Sequence, residues 1–214
     1  MKSKPNPLFR FGLILAGVVI ALDQLSKYII LGPMNFSGPG CREAQLGRFG
    51  DIGACGHIDL LPFFDLRMVW NPGVSFGLFR ADGDIGRWAL SLATFAIAIL
   101  FLTWLRGAER RMSAMALGLV IGGALGNIVD RIRFGAVADF LDFSGLWFPW
   151  VFNVADSAIT VGAILLAVDF VFFVEDPPGS GTIWGQIKKS LKIGSNAAKT
   201  AAPAPSPHNG QDQK

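Results

Sequence analysis

The sequence predicts a mostly α-helical membrane protein with four transmembrane helices and a small extracytoplasmic β-sheet insert between helices 1 and 2. Of its 214 residues, 51% are hydrophobic and only 16% are charged, whereas about a quarter of the residues in a soluble domain carry charge. The chain also contains 18 Phe and 6 Trp against one Tyr, which favours rings that face lipid. The composition therefore excludes an ordinary soluble domain.

Four segments are apolar enough to cross a bilayer core of about 30 Å, which requires roughly 20 helical residues. They comprise residues 11–31, 88–105, 112–129 and 151–174. The first segment also has the basic start and apolar stretch of a secretory signal. It lacks a small-x-small cleavage site, so we interpret it as an uncleaved helix.

Basic residues predict the topology. They precede the first segment, separate the second from the third, and follow the fourth, which places both termini in the cytoplasm. Residues 32–87 and 130–150 then lie outside, although five arginines in the first outer loop weaken the asymmetry. The net charge of +3 fits topology and anionic lipid headgroups and gives no reason to expect nucleic acid.

We divide the chain into a membrane domain, residues 1–176, and a cytoplasmic tail, residues 177–214. Within the outer insert, residues 32–87, the stretch FDLRMVW alternates in polarity as a half-buried strand does. After the NPG break, Val74, Phe76 and Leu78 alternate again, which predicts a second strand. In the tail, a short amphipathic stripe is followed by a low-complexity segment that we expect to be disordered.

Three further patterns were weighed. Cys41 and Cys55 form either a disulfide or two unpaired thiols, and the two histidines of the chain are too few for a zinc site. Gly118, Gly122 and Gly126 form a small-residue stripe that indicates close helix packing. The GVSFG pentapeptide around Ser75 matches a nucleophile elbow, but it lies in an outer hairpin with no suitable His, so we discard it.

The acidic residues gather toward one side of the predicted membrane. Because 12 residues separate Arg10 from Asp23, and another 12 separate Asp156 from Asp169, each span covers roughly 20 Å of helix. Asp23 and Asp156 therefore lie near the outer interface. Asp130, Asp139 and Asp142 fall in the predicted outer segment. Asp169 is expected to be a solvated or snorkelling charge at the inner surface.

Asp23 and Lys27 are spaced i, i+4, so we expect an interfacial salt bridge that orients the first helix. Asp139 and Asp156 are each surrounded by apolar residues near the water–lipid boundary. If the two meet, one pKa rises and the pair shares a proton, which is the arrangement an aspartic protease uses. The spacing alone leaves open that they are separate interfacial acids.

Four motifs together resemble the lipoprotein signal peptidase family, the type II signal peptidases of bacteria. They are DQLSK (23–27), NPGVSFG (71–77), GGALGNIVDRIRFGAVADFLDF (122–143) and FNVADSAITVG (152–162). The resemblance implies an aspartyl peptidase of the inner membrane, with four helices and both termini in the cytoplasm. Its partners would be membrane lipids and diacylglyceryl-modified prolipoproteins, cut just before the lipidated cysteine. It implies no metal or organic cofactor, and a monomer suffices for the chemistry.

By motif, the resemblance makes Asp139 and Asp156 the catalytic dyad and prefers Asp139 to Asp130. The supporting or substrate-binding positions it implies are Asp23, Lys27, Asn71, Asn127, Asp130, Arg131 and Asn153. The sequence departs from the usual hairpin motif at Pro72, Val74 and Ser75, and the GPGC…GACG insertion is longer than expected. We expect altered loop stiffness rather than lost chemistry.

Two other functions compete with this one. Intramembrane Asp and Lys residues also build the relays of proton-coupled transporters, but those predict acidic residues at several depths and inverted repeats. A non-catalytic membrane protein that binds lipidated partners would share the same composition. Only loss of cleavage after single Asp substitutions separates that alternative from a peptidase.

Overall fold

A computed structural model describes residues 6–46, 55–73 and 83–173. Its helices are α1 (Pro7–Leu31), the short α2 (Cys41–Gln45), α3 (Gly83–Arg106), α4 (Arg111–Phe134) and α5 (Val154–Phe173). All but α2 are long and apolar enough to cross a membrane. The four predicted spans are therefore confirmed. The predicted second strand at 74–78 and the tail at 177–214 lie outside the described residues.

The third spanning helix is longer than the sequence predicted, and this moves one acidic residue. We expected that helix to end at residue 129 and Asp130 to lie in an outer loop. Instead α4 continues to Phe134 and ends at Gly135, whose φ of 79° turns the chain out of the helix. The prediction for Asp130 was wrong because its charge suggested a loop, whereas the side chain is buried on a helix.

Within the described residues, the sheet has four antiparallel strands in the order β1 (His57–Leu61), β2 (Phe64–Asn71), β3 (Val137–Asp142) and β4 (Val151–Phe152). The outer insert supplies the first two strands: β2 matches the strand predicted at 64–70, whereas β1 was not predicted. The last two come from the segment between α4 and α5, which we had taken for a simple connection. The sheet thus joins the insert to the chain that carries Asp139.

The two faces of the sheet have different surroundings. One face packs into an apolar cluster with the end of α1 and with the chain that follows it. Its side chains in this cluster are those of Met68, Trp70, Ala138 and Phe140. Because side chains alternate along a strand, Asn71 and Asp139 lie on the opposite face. One face therefore anchors the sheet, and the other carries polar groups.

The structure decides the question that the two cysteines left open. Cys41 and Cys55 form a disulfide with an S–S distance of 2.12 Å. Cys41 is fully buried in the same apolar cluster as Trp70. The disulfide therefore holds the insert against the anchored face of the sheet.

Asp169 is buried, whereas we predicted a solvated or snorkelling charge. It is only 5% exposed, because α5 brings it against the start of α4. There the Ser113 hydroxyl donates a hydrogen bond of 2.6 Å to its Oδ2 atom, and an Arg110 nitrogen lies 3.5 Å from the same oxygen. A carboxylate at a helix N-terminus is also favoured by the helix dipole.

The glycine stripe of α4 allows α1 to approach it closely. A Cβ atom on Gly118 would lie 2.6 Å from the backbone oxygen of Gly12, and one on Gly122 would lie 2.7 Å from that of Ala16. Both neighbours belong to α1, so the predicted packing role is confirmed for these two glycines. Gly126 instead leaves room for the Asp23 carboxylate.

We expect Gly118→Ala to separate α1 from α4, because the added methyl would collide with backbone that cannot rotate away. The free energy of unfolding should fall by about 1–3 kcal/mol, measured as a lower thermal midpoint in detergent. Gly17→Ala is the matched control, since a Cβ there meets nothing within 4 Å. Equal midpoints for the two variants would contradict the close approach.

Candidate active site

Asp139 lies near the middle of β3 and is 1% exposed. Both of its carboxyl oxygens accept a hydrogen bond from a side-chain amide. Asn71 Nδ2 donates to Oδ2 over 3.1 Å, and Asn153 Nδ2 donates to Oδ1 over 2.7 Å. These contacts join β2 and the chain before α5 to one carboxyl group.

Asp156 lies in the first turn of α5. Its Oδ1 atom accepts a hydrogen bond of 2.8 Å from Asn127 Nδ2 on α4, and its backbone N–H donates one of 2.8 Å to Asn153 Oδ1. An Asn side chain that accepts from a first-turn amide is a helix N-cap. Asn153 therefore caps α5 with its oxygen and binds Asp139 with its nitrogen, so one residue links the two carboxyl groups.

The surroundings of Asp139 favour its protonated form. Burial raises the pKa of the Asp139 carboxyl well above its ordinary value, and the charge of Asp156 raises it further. Hydrogen bonds from Asn71 and Asn153 and the charge of Lys27 act in the opposite direction without cancelling the rise. When two carboxyls interact strongly, their pKa values belong to the pair rather than to either residue.

Lys27 lies behind this pair and is almost fully buried. Its Nζ atom is 2.8 Å from Asp23 Oδ2 and 2.7 Å from Asp130 Oδ2. It also approaches Asn127 Oδ1 to 3.5 Å. The predicted Asp23–Lys27 pair is present, but it is part of a buried triad with Asp130 rather than an interfacial salt bridge.

The two carboxylates of the triad also bind backbone amides. Asp23 Oδ1 accepts from the N–H of Ala155 over 3.0 Å, and Asp130 Oδ2 accepts from the N–H of Ala138 over 3.1 Å. Ala155 directly precedes Asp156 in the chain, and Ala138 directly precedes the other candidate carboxyl. Each triad carboxylate therefore holds the backbone next to one member of the pair.

The sequence analysis missed Gln24. Its Nε2 atom lies 3.1 Å from Asp23 Oδ2 and 3.0 Å from Asp130 Oδ1, and its Oε1 atom accepts from Arg133 over 3.3 Å. The available signal was an amide side chain between Asp23 and Lys27 in an otherwise apolar helix. We had considered that stretch only for its charges.

Arg131 is 7% exposed, and its NH2 group donates to the backbone oxygen of Gly73 over 3.0 Å. The Asn71 side chain accepts from the N–H of the same Gly73 over 3.1 Å. Arg131 also lines a cavity of about 550 Å³ between α3, α4 and α5. The walls of that cavity include Leu90 and Ile159, and its polar groups include those of Asn127, Arg131 and Asp156.

Another group of residues could approach a metal ion. His57, Asp59 and Asp65, on β1 and β2, have ligand atoms within 4.8 Å of one another. They are exposed or half-buried, and exposed acidic groups commonly gather without an ion. We assign no metal to them, and Asp139 and Asp156 do not belong to this group.

We expect Lys27→Met to destabilise the fold strongly. The change leaves the Asp23 and Asp130 carboxylates buried without their shared cation, which costs roughly 3–5 kcal/mol of unfolding free energy. Thermal unfolding in detergent measures the loss, and adding Asp130→Asn should recover part of it because one uncompensated charge is removed. Asp59→Asn, at an exposed carboxylate, should leave the midpoint unchanged. A Lys27→Met protein as stable as wild type would refute the role of the triad.

The chain is similar to known proteins over most of its length. A family model described as Signal peptidase (SPase) II matches residues 15–172. The chain is 51% identical over 162 residues to a protein of Methylobacterium radiotolerans named Lipoprotein signal peptidase, covering 75% of this chain and 85% of that one. It is 45% identical over 156 residues to a Caulobacter vibrioides protein of the same name, covering 72% and 83%.

The fold is also similar to that of a solved bacterial membrane enzyme. The TM-score is 0.58 at 25% sequence identity, over 78% of this chain and 93% of that one. The family match covers α4 and β3 completely and nearly all of α5, which together carry both candidate carboxyls. On these findings, the chain belongs to the signal peptidase II family.

Proposed function

We propose that this protein is an aspartyl endopeptidase that removes signal peptides from prolipoproteins, with Asp139 and Asp156 as its catalytic dyad. The observation that carries the dyad is the double role of Asn153, which bonds to the Asp139 carboxyl and caps the helix of Asp156. The family membership supports the peptidase activity. It does not favour the transporter or the non-catalytic binding protein.

The environment of Asp139 suggests which carboxyl acts as general acid and which as general base. The raised pKa makes Asp139 the carboxyl that keeps the shared proton. Asp156 is then the ionised partner and takes a proton from water as the water attacks the peptide carbonyl. Asp139 donates its proton to the carbonyl oxygen, as in other carboxyl pairs that share one proton.

The contacts of Asp130 argue against it as a dyad member. One of its oxygens lies near Gln24, and the other meets both Lys27 and the N–H of Ala138. A carboxylate so occupied cannot also bind water or a substrate carbonyl without breaking the triad. We therefore assign Asp23, Lys27 and Asp130 to positioning, and Asn71, Asn127 and Asn153 to holding the dyad.

The cavity beside Asp156 suits a substrate that is part lipid and part peptide. Its largely apolar walls can accept acyl or signal-peptide side chains, while Arg131 and Asn127 offer polar contacts near the scissile bond. Cleavage before a diacylglyceryl-modified cysteine at this depth leaves the acyl chains in lipid. Lifting them out would cost about 0.8 kcal/mol per CH₂.

We further propose that the termini face the cytoplasm, that the dyad faces the outer side of the inner membrane, and that the protein acts as a monomer. The distribution of basic residues supports the orientation. A monomer suffices for the proposed chemistry.

Asp139→Asn and Asp156→Asn should each reduce cleavage by at least about a hundredfold, because general acid–base catalysis contributes at least that much. The assay is cleavage of a diacylglyceryl-modified prolipoprotein by purified protein in detergent, with thermal midpoints measured alongside. The matched control is Asp142→Asn on the same strand, since Asn can still accept the 2.8 Å hydrogen bond from the Ser144 N–H. Its turnover should remain near wild type.

Asp130→Asn is the discriminating variant of this series. We expect residual cleavage together with lower stability, since its effect is on position. If it is inactive while Asp139→Asn still cuts, the dyad is misassigned although the enzyme class stands. If folded wild-type protein never cuts, the peptidase is refuted and lipoprotein binding without cleavage takes its place.

The pH profile should reveal the proton on Asp139. Its protonated form is the active one, so the rate should fall as pH rises through its pKa, which lies above the range of an ordinary carboxyl. Asn71→Ala removes a hydrogen bond that lowers this pKa, and should therefore move the fall toward higher pH. The measurement is kcat/KM against pH, with Asp142→Asn as the unshifted control. A shift toward lower pH would contradict the assignment.

A further inference from the structure

The pairing of β2 with β3 contains an irregularity just before the dyad. Leu66 pairs with Leu141, but Val69 pairs with Asp139. Between these two pairs, β2 therefore contains one residue more than β3. An extra residue of this kind is a β-bulge, which bends the strand and changes where later side chains point. Asn71, which binds Asp139, lies directly beyond the bulge.

At this point the other edge of β2 forms hydrogen bonds with earlier residues of the insert. The Met68 N–H donates to the Gly56 oxygen over 2.9 Å. Gln45 Nε2 then donates to the Met68 oxygen over 3.0 Å, and the Trp70 N–H donates to Gln45 Oε1 over 2.7 Å. The side-chain amide of Gln45 thus bonds to β2 as the backbone amide of a neighbouring strand would.

The insert also holds the side chain of Trp70, the residue before Asn71. Trp70 Nε1 donates to Ser37 Oγ over 2.9 Å, and the Arg42 guanidinium lies 6.0 Å from the centre of the ring. The indole also packs against Phe134 at the end of α4, with ring centres 5.4 Å apart. Backbone and side chain are therefore held by the same part of the chain.

The disulfide connects these contact points. Cys41 begins α2, the helix that ends at Gln45, and Cys55 directly precedes Gly56. We call residues 37–46 together with Cys55 and Gly56 the staple. Cross-linking restricts how far Gln45 and Gly56 can move apart, so both hydrogen-bonding groups stay beside the bulge.

We propose that the staple is a positioning element for catalysis, and that Gln45 is its positioning residue. Gln45 fixes the bulged end of β2 so that Asn71 meets the Asp139 carboxyl. It touches neither the dyad nor the cavity, and acts through Trp70 and Asn71. This inference rests on the proposed function, because its effect is on the Asp139–Asp156 dyad.

Gln45→Met tests the inference, since Met has similar length but can neither donate to Met68 nor accept from Trp70. We expect kcat to fall roughly tenfold, as expected for a misplaced catalytic group, while KM changes less than twofold. The alkaline fall of the pH profile should move to higher pH, because the hydrogen bond from Asn71 to Asp139 weakens. Gln45→Glu keeps only the acceptor and should show a smaller loss.

The control for simple destabilisation is Leu105→Val, which removes a methylene from a fully buried residue in the separate apolar cluster shared by α1, α3 and α4. It should lower the thermal midpoint and leave kcat and the pH profile unchanged. If Gln45→Met behaves in the same way, Gln45 is merely structural and the inference is overturned.

A double-mutant cycle tests whether Gln45 acts on the dyad through Asn71. Because Gln45 acts through Asn71, Gln45→Met should cause no further loss of kcat in an Asn71→Ala background. Fully additive losses would overturn the inference.

The variant carrying both Cys41→Ala and Cys55→Ala should resemble Gln45→Met in kcat and pH profile. Normal values for both would show that the staple positions nothing. Failure of wild-type cleavage would instead refute the proposed function.

Discussion

The site depends on one buried ammonium group. Lys27 lies between Asp23 and Asp130, and the same two carboxylates bind the backbone amides that precede Asp156 and Asp139. A buried carboxylate without a cation would be too costly to keep. The lysine therefore makes it possible for α1 and α4 to hold α5 and β3 at fixed positions. In the proposed mechanism, the dyad is positioned by charges that take no part in proton transfer.

The sequence was sufficient to predict the four spanning helices and the strand at 64–70, because hydropathy and polarity alternation are local properties. It was insufficient for β3, since Val137–Asp142 becomes a strand only by pairing with the insert. The site residues came from a resemblance in their motifs. Their grouping could not be predicted from the chain, because Asn153 and Asn71 reach Asp139 across separate elements. Gln24 and Gln45 were missed for a similar reason: a single uncharged amide side chain gives no periodic signal, and its partners lie on other elements.

The candidate dyad lies where a sheet meets the ends of helices, and each kind of element contributes differently. β3 pairs with β2 at Asp139 and with β4 further along at Leu141, and the start of α5 provides a capped turn for Asp156. Side chains on regular elements are held more accurately than those on loops. The apolar face of the sheet and the disulfide lie behind this arrangement. The sheet, the capped helix and the disulfide thus support the candidate site with few residues.

The two ties between α4 and α5 limit how the cavity can widen. At one end Asn127 binds Asp156, and at the other Ser113 binds Asp169. Moving α5 outward would break these largely buried polar contacts, and polar groups left buried without partners are costly. The hydroxyls of Ser91 and Thr94 on α3, by contrast, bond to oxygens of their own helix. The α5 wall of the cavity is therefore held to α4 near both of its ends, so a ligand that widens the cavity has to displace another part of the lining.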